Sequence, residues 1–390
     1  MPSNTSIVTA APSAATPSLG LTGTPALASQ DVFGTGHFLP FYKSDTFVVP
    51  PGVTQIRVRV WGAGGSGAGW SAPSQGKATG GGGGGFAMKT LAVTPGASYA
   101  VTVGKGGAQA LGSAGSATYG FAGAASSFGA VCSATGGGGG NPLGSPFAAT
   151  GSGGAGGTGS GGDVNFTGGA GGSCANGNVS GATYQATGGG SAASNLGDGG
   201  RGGNFSAAAP VSNSCATGGG GVGGAGGDIS TNLATTWGSG GGGAGGSASD
   251  TSEGTQASLI SSRAYLGGLD IFGNVGSGTP YGNGYAPVSS ASVPAGVYGR
   301  FPGDVLFGAG GYPINTSTGA GGGGGPGGGS GGATQATSTN AGGGGCYNGG
   351  NGATGGTGGF PGGGGGGSVC SGSFNAYGGA GADGFVVVEW

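Results

Sequence analysis

The sharpest alternation in the chain is Thr54-Gln-Ile-Arg-Val-Arg-Val-Trp61, with Ile56, Val58 and Val60 on one side of an extended backbone and Arg57, Arg59 and Trp61 on the other. A period of two predicts a half-buried strand, launched by Pro50-Pro51-Gly52. Two further strands, Phe86 to Val93 and Tyr99 to Val103, are joined by Thr94-Pro95-Gly96 and read as a hairpin. Ser126–Ala134 reads as a weaker fourth strand. The closing Phe385-Val-Val-Val-Glu-Trp390 is apolar on both faces, which suits a strand with neighbours on both sides better than an exposed edge. Residues 31–45 gather Phe33, Phe38, Phe41 and Tyr42 around Pro40 and read as an irregular segment lying against something apolar. Residues 1–30, rich in Ser, Thr, Ala and Pro, suggest an extended arm.

Elsewhere the hydrophobic pattern gives way to glycine. The chain holds 116 glycines in 390 residues, several times the usual ~7 %. They come in runs rather than at every third position, which excludes collagen. Fixing a glycine costs roughly 0.5–1 kcal/mol more than fixing an alanine, and the apolar content, mostly alanine, leaves few large side chains to offset it. Glycine disfavours an α-helix and gives a pleated sheet no side chains to pack. The remaining solution is the polyproline-II conformation, whose N–H and C=O groups all point sideways and can bond between neighbouring side-chain-free helices. Pro326, inside the 321–329 run, fits that conformation. The expected architecture is an all-β framework, a small β-sandwich-like sheet, with a large inserted polyglycine-II bundle and little or no α-helix. The divisions are an arm at 1–45, the framework at 46–135, the glycine-rich bundle at 136–383 and a closing strand at 384–390.

Charge narrows the function classes. Nine basic against eleven acidic residues give a net charge of −2, no footprint for nucleic acid or an anionic membrane. No run of ~18 apolar residues could span a bilayer, and residues 1–30 lack the basic start and apolar core of a secretory signal. Five widely spaced cysteines, Cys132, Cys174, Cys215, Cys346 and Cys370, form no C-x-x-C pair and read as small buried thiols. Matches to G-x-G-x-x-G carry no information in so much glycine, and neither Gly76-Lys77 nor Gly104-Lys105 is followed by the Ser or Thr of a phosphate loop. A calcium nonapeptide pattern fits Gly378–Val386 with Asp383, and partly Gly223–Asp228, but the two lack the tandem repetition a β-roll needs. The single histidine, His37, has no triad partners nearby and reads as a packing residue. Asp250 and Glu253 are the closest carboxylate pair for glycan hydrolysis. No cofactor or metal is expected, and the chain reads as a non-enzyme.

Richer segments between the glycine runs must form bundle-end loops: 141–150 with Phe147, 174–187 with Tyr184, 191–198, 204–217, and above all 250–318. The last holds Tyr265, Tyr281, Tyr285, Tyr298 and Phe301. Aromatic, Gly- and Ser-rich loops on a rigid scaffold have the composition of an adaptable binding surface. A small aromatic core or an inter-subunit contact is the alternative.

Several stretches resemble one family: Phe47–Gly65, the 80–85 run into Phe86, the Pro95-Gly96 hairpin closing at Val103–Gly107, Ser127–Ala130, Ala134–Gly137 and Gly381–Trp390. Together they resemble the glycine-rich domain of bacteriophage tail-fibre and receptor-binding proteins, over about residues 46–390. The resemblance implies a virion adhesin, assembled in the host cytoplasm as a homotrimer, whose polyglycine-II bundle presents loops to a bacterial surface glycan or outer-membrane protein. Residues 1–45 would anchor it to other virion proteins, and without coiled-coil heptads it would be a short fibre, tip or spike. The candidate contacts are Tyr265, Tyr281, Tyr285, Tyr298 and Phe301, then Phe147 and Tyr184. A purely structural virion coat, wall or extracellular glycine-rich protein and a surface-glycan depolymerase using Asp250 and Glu253 are the rival readings.

Overall fold

The computed structural model describes residues 37–238 apart from 73–75, 114, 144–149, 175–183, 206–214, 222 and 230–236. Of the rest it describes 312–315, 318–320, 328–329, 333–335, 341–342, 353–371 and 375–390. The described residues are all-β, with no helix among them.

Two five-stranded antiparallel sheets form a sandwich. One runs Phe38–Phe41, Phe385–Glu389, Gln55–Trp61, Phe86–Ala92, Val164–Phe166; the other runs Gly159–Ser160, Cys132–Ala134, Ser126–Phe128, Ser98–Thr102, Asp45–Val48. Ile56, Val58 and Val60 face inward, as their alternation predicts, and pack with Val386, Val388, Phe47, Val101 and Phe128. On the opposite face Arg57 and Arg59 both bind Glu389. The terminal strand has a partner on each side, in keeping with its apolar faces.

The divisions drawn from sequence shift in three places. Phe38–Phe41 and Asp45–Val48 are sandwich strands, so the segment read as the end of the arm belongs to the framework. Pro40 lies in an edge strand, where a missing N–H is tolerated. Ser126–Ala134 is a hairpin of two short strands turning at Gly129, whose φ of 52° favours glycine. Gly159–Ser160 and Val164–Phe166 join the sandwich from within the stretch assigned to the bundle, while the runs at 62–68, 79–85, 104–107 and 120–125 leave the framework to join the bundle.

Those glycine runs are neither helix nor sheet, and their backbone bonds follow a strict rhythm. In 62–68, Gly62, Gly65 and Ala68 donate to Gly85, Gly82 and Thr79; Ala63 and Ser66 donate to Ala124 and Phe121; Gly64 and Gly67 donate to Ala382 and Gly379. Donors three residues apart serve the same neighbour. The 79–85 run is enclosed on all sides: it donates to runs at 135–140, 168–172 and 362–367, and accepts from 62–68, 153–157 and 188–193. Around this enclosed run the backbone bonds between neighbouring runs go one way. Run 62–68 donates to 79–85, 79–85 donates to 135–140, and 135–140 donates back to 62–68 through Gly137 and Gly140, closing a donor cycle. Such contact demands glycine: a methyl at Gly82 would overlap the Ala155 carbonyl, and one at Gly65 the Gly138 carbonyl.

Each run has one end at the sandwich. Gln55–Trp61 passes into 62–68, 79–85 into Phe86–Ala92, Cys132–Ala134 into 135–141, and 378–384 into Phe385–Glu389. The other ends pass into short strands that make three further sheets at the far end of the bundle.

Candidate functional site

The far end is built on a ladder of parallel strands, Gly76–Ala78, Tyr184–Ala186, Cys215–Ala216 and Trp237–Gly238, with Pro142–Leu143 antiparallel at one edge. Each of the first three strands continues as Ala-Thr-Gly into a glycine run: Ala78-Thr79-Gly80, Ala186-Thr187-Gly188 and Ala216-Thr217-Gly218. The threonine hydroxyls tie the runs together. Thr187 Oγ1 accepts from the Gly80 N–H at 3.0 Å and donates to the Gly172 carbonyl at 2.6 Å. Thr217 Oγ1 repeats this between Gly188 N–H and the Gly203 carbonyl, at 3.1 and 2.5 Å. Thr79 Oγ1 accepts from the Asn141 N–H at 2.7 Å. The same Ala-Thr-Gly triplet also stands at 134–136, at the sandwich end, so the sequence alone does not single out the far-end threonines.

Beneath this ladder lies a small apolar cluster of Ala68, Trp70, Ala78, Tyr184, Ala186 and Val369. Tyr184, a candidate contact residue, is only 3 % exposed, and burial raises its hydroxyl pKa; here it packs the scaffold instead of facing a ligand. It sits one residue from Gln185 on a strand, so its ring alternates to the apolar side. Lys77 and Gln185 are register partners, 2 % and 1 % exposed. Burial lowers the Lys77 pKa, opposed by nearby Cys174. The Cys174 thiol is pushed up to about 12 by burial, against the pull of Lys77. Neither polar atom of the Gln185 amide has a partner, a cost of about 1–3 kcal/mol for each such group. Cys132, Cys174 and Cys370 are buried and form no disulfide; Cys132 too is pushed up, to about 11, chiefly by burial.

Tyr265, Tyr281, Tyr285, Tyr298, Phe301 and Phe147 lie outside the described residues, as do Asp250 and Glu253. Asp383 serves the fold: its carboxylate accepts from Lys105 Nζ and the Gly106 N–H, each at 2.8 Å. Asp228 likewise binds Arg201 and the Asn204 N–H. His37 stacks on Trp390 with centroids 6.1 Å apart.

The exposed aromatic surface of the described bundle lies on one flank and was not anticipated from sequence. Tyr119 is 65 % exposed, Phe121 50 % and Leu111 44 %, and the Thr118 hydroxyl, beside Tyr119, bonds the Leu111 carbonyl at 2.6 Å. These side chains lie within 111–121, short of every segment singled out for its loops.

A bundle of hydrogen-bonded glycine runs grown out of a small sandwich defines a class of glycine-rich β protein. The family model described as "Glycine-rich domain" matches residues 42–254, more than half of the chain, and the chain belongs to that family. No curated protein matches it.

Proposed function

We propose that this protein is a bacteriophage fibre or spike component that attaches the virion to its host, with polyglycine-II helices as the scaffold and far-end loops as the receptor-binding surface. The three-residue recurrence of donors supports the helices, because polyproline-II geometry turns once per three residues. One observation carries the attachment reading. The described strands and bridges that end at Ala72, Leu143, Cys174, Phe205, Ile229 and Ser371, and those that begin at Gly76, Gly151, Tyr184, Cys215, Trp237 and Ala376, all lie at the far end. At the sandwich end the returns are tight, as at 194–197 and 360–362. The chain therefore leaves and re-enters the far end six times at described strands or bridges, which supports reading that end as a recognition surface on a rigid support. Tyr265, Tyr281, Tyr285, Tyr298, Phe301 and Phe147 are its candidate contacts, a bacterial surface glycan or outer-membrane protein its partner, and residues 1–36 its link to other virion proteins.

The test uses the purified full chain, fluorescently labelled, on a panel of bacterial strains, followed by competition with phage adsorption on any strain it stains. Saturable staining that blocks adsorption is expected. Replacing Tyr281 and Tyr285 together by alanine should lower staining while leaving the unfolding midpoint in place. Staining of no strain, or staining without competition, overturns the attachment reading.

A further inference from the structure

Run 120–125 lies at the margin of the bundle. Its neighbours are 62–68, from which Ala63 and Ser66 donate to Ala124 and Phe121; 135–140, whose carbonyls receive Gly120 and Gly123; and 104–107, where Lys105 receives Ala124. In the enclosed 79–85 run every third residue points its N–H at one further neighbour. In 120–125 the remaining set is Tyr119, Ala122 and Ala125, and the Ala122 N–H finds no acceptor. The margin is also apolar. Ala122, Ala124 and Ala125 are exposed with Tyr119 and Phe121, and the described residues from 117 to 125 carry no charge. Under the three-residue rhythm Tyr119, Ala122 and Ala125 project along one ridge and Phe121 and Ala124 along another, with the open amide direction between them. Gly136, Gly139, Ala155, Gly156 and Ala170 also leave an N–H without an acceptor, but no aromatic residue stands in their runs.

We propose that this flank docks a glycine run of a second copy of the chain. The occupant must bring carbonyls at a three-residue spacing, no side chains where it meets the floor, and no charge. Among the described residues, the groups of that chemistry are the chain's own glycine runs. The contact extends a packing rule already met throughout the interior, with Tyr119 and Phe121 closing over the incoming run. Because the backbone bonds between 120–125 and each of its neighbours go one way, 120–125 donates to a different run of the second copy and does not pair with its own equivalent across a two-fold axis. This interface stands apart from whatever the far end binds.

Analytical ultracentrifugation of the full chain over a concentration series tests the proposal. The wild-type protein should self-associate. Ala122→Pro removes the open N–H while fitting a backbone of φ near −65°, and should weaken association about five- to tenfold. Ala122→Gly keeps the N–H and should associate like wild type. Tyr119→Asp, at a side chain 65 % exposed, should abolish association without moving the unfolding midpoint. It also serves as the deciding variant if proline proves destabilising. A wild-type protein that stays monomeric, or association unchanged in Tyr119→Asp, overturns the proposal.

Discussion

Thr187 stands where three runs meet, and its hydroxyl is the sole link between the Gly80 N–H and the Gly172 carbonyl that it joins. Thr187→Val keeps the shape and removes the hydroxyl, leaving two buried backbone groups unpaired. The expected loss is about 2–4 kcal/mol, read from urea unfolding, whereas Thr187→Ser should stay within about 1 kcal/mol of wild type. Asp383 acts at the sandwich end. Burial works against its charge, but the bonds from Lys105 and Gly106 outweigh it and hold its carboxyl below the ordinary aspartate value. The bonds from Lys89 and Thr90 do the same for Asp163. A lowered folded pKa means that the unfolded chain binds protons first as acid is added. This stabilisation is therefore complete above the unfolded value of ~3.9 and lost as pH falls through the folded one. Asp383→Asn should flatten the acid limb of a plot of urea midpoint against pH, and an unchanged limb would deny the clasp that role.

Glycine has two separate uses in these elements, and substitution tells them apart. Gly96 has a φ of 82° with open space around it, so Gly96→Ala meets only backbone strain, about 1–2 kcal/mol. At Gly82 a methyl would meet the backbone of the neighbouring run, and no rotamer can relieve that. Gly82→Ala should cost at least about 3 kcal/mol or abolish folding, seen as lost soluble yield or a collapsed thermal midpoint. The same difference governs what the sequence could disclose. The Gln55–Trp61 strand was legible because its partners bury one face, and the terminal strand because both faces are apolar. Phe38–Phe41 and Asp45–Val48 were not, since edge strands need no strict alternation and Pro40 argues against a strand. The turn inside Ser126–Ala134 was masked by small residues that suit either state. Within the glycine runs no side chain distinguishes one position from another, so which run touches which is set by backbone register alone. The far-end threonines follow that register, and Tyr119 and Phe121 matter only because their run lies at the margin.

At the scale of the molecule the chain shuttles between two architectures, and neither can be dismantled alone. Strand Gln55–Trp61 passes directly into 62–68, whose Gly64 donates to Ala382 beside the closing strand. Pulling that strand from the sandwich thus breaks bonds within the bundle. Cross-links between residues so distant in sequence slow folding, because many loops must close before any run gains its neighbours. They also bind the two parts into one unfolding unit. The 79–85 run is the place to test this, since Gly81, Gly82, Gly83, Gly84 and Gly85 donate in turn to Gly365, Gly138, Gly169, Gly362 and Thr135. Their amides should exchange with solvent only through global unfolding, at the same free energy as Val58 and Val60 in the sandwich. The Ala122 amide, with no acceptor, should exchange orders of magnitude faster in the monomer. Exchange of Gly81–Gly85 ahead of the sandwich amides would mean that the bundle opens by itself, and that its runs are held by something weaker than the closed donor cycles around them.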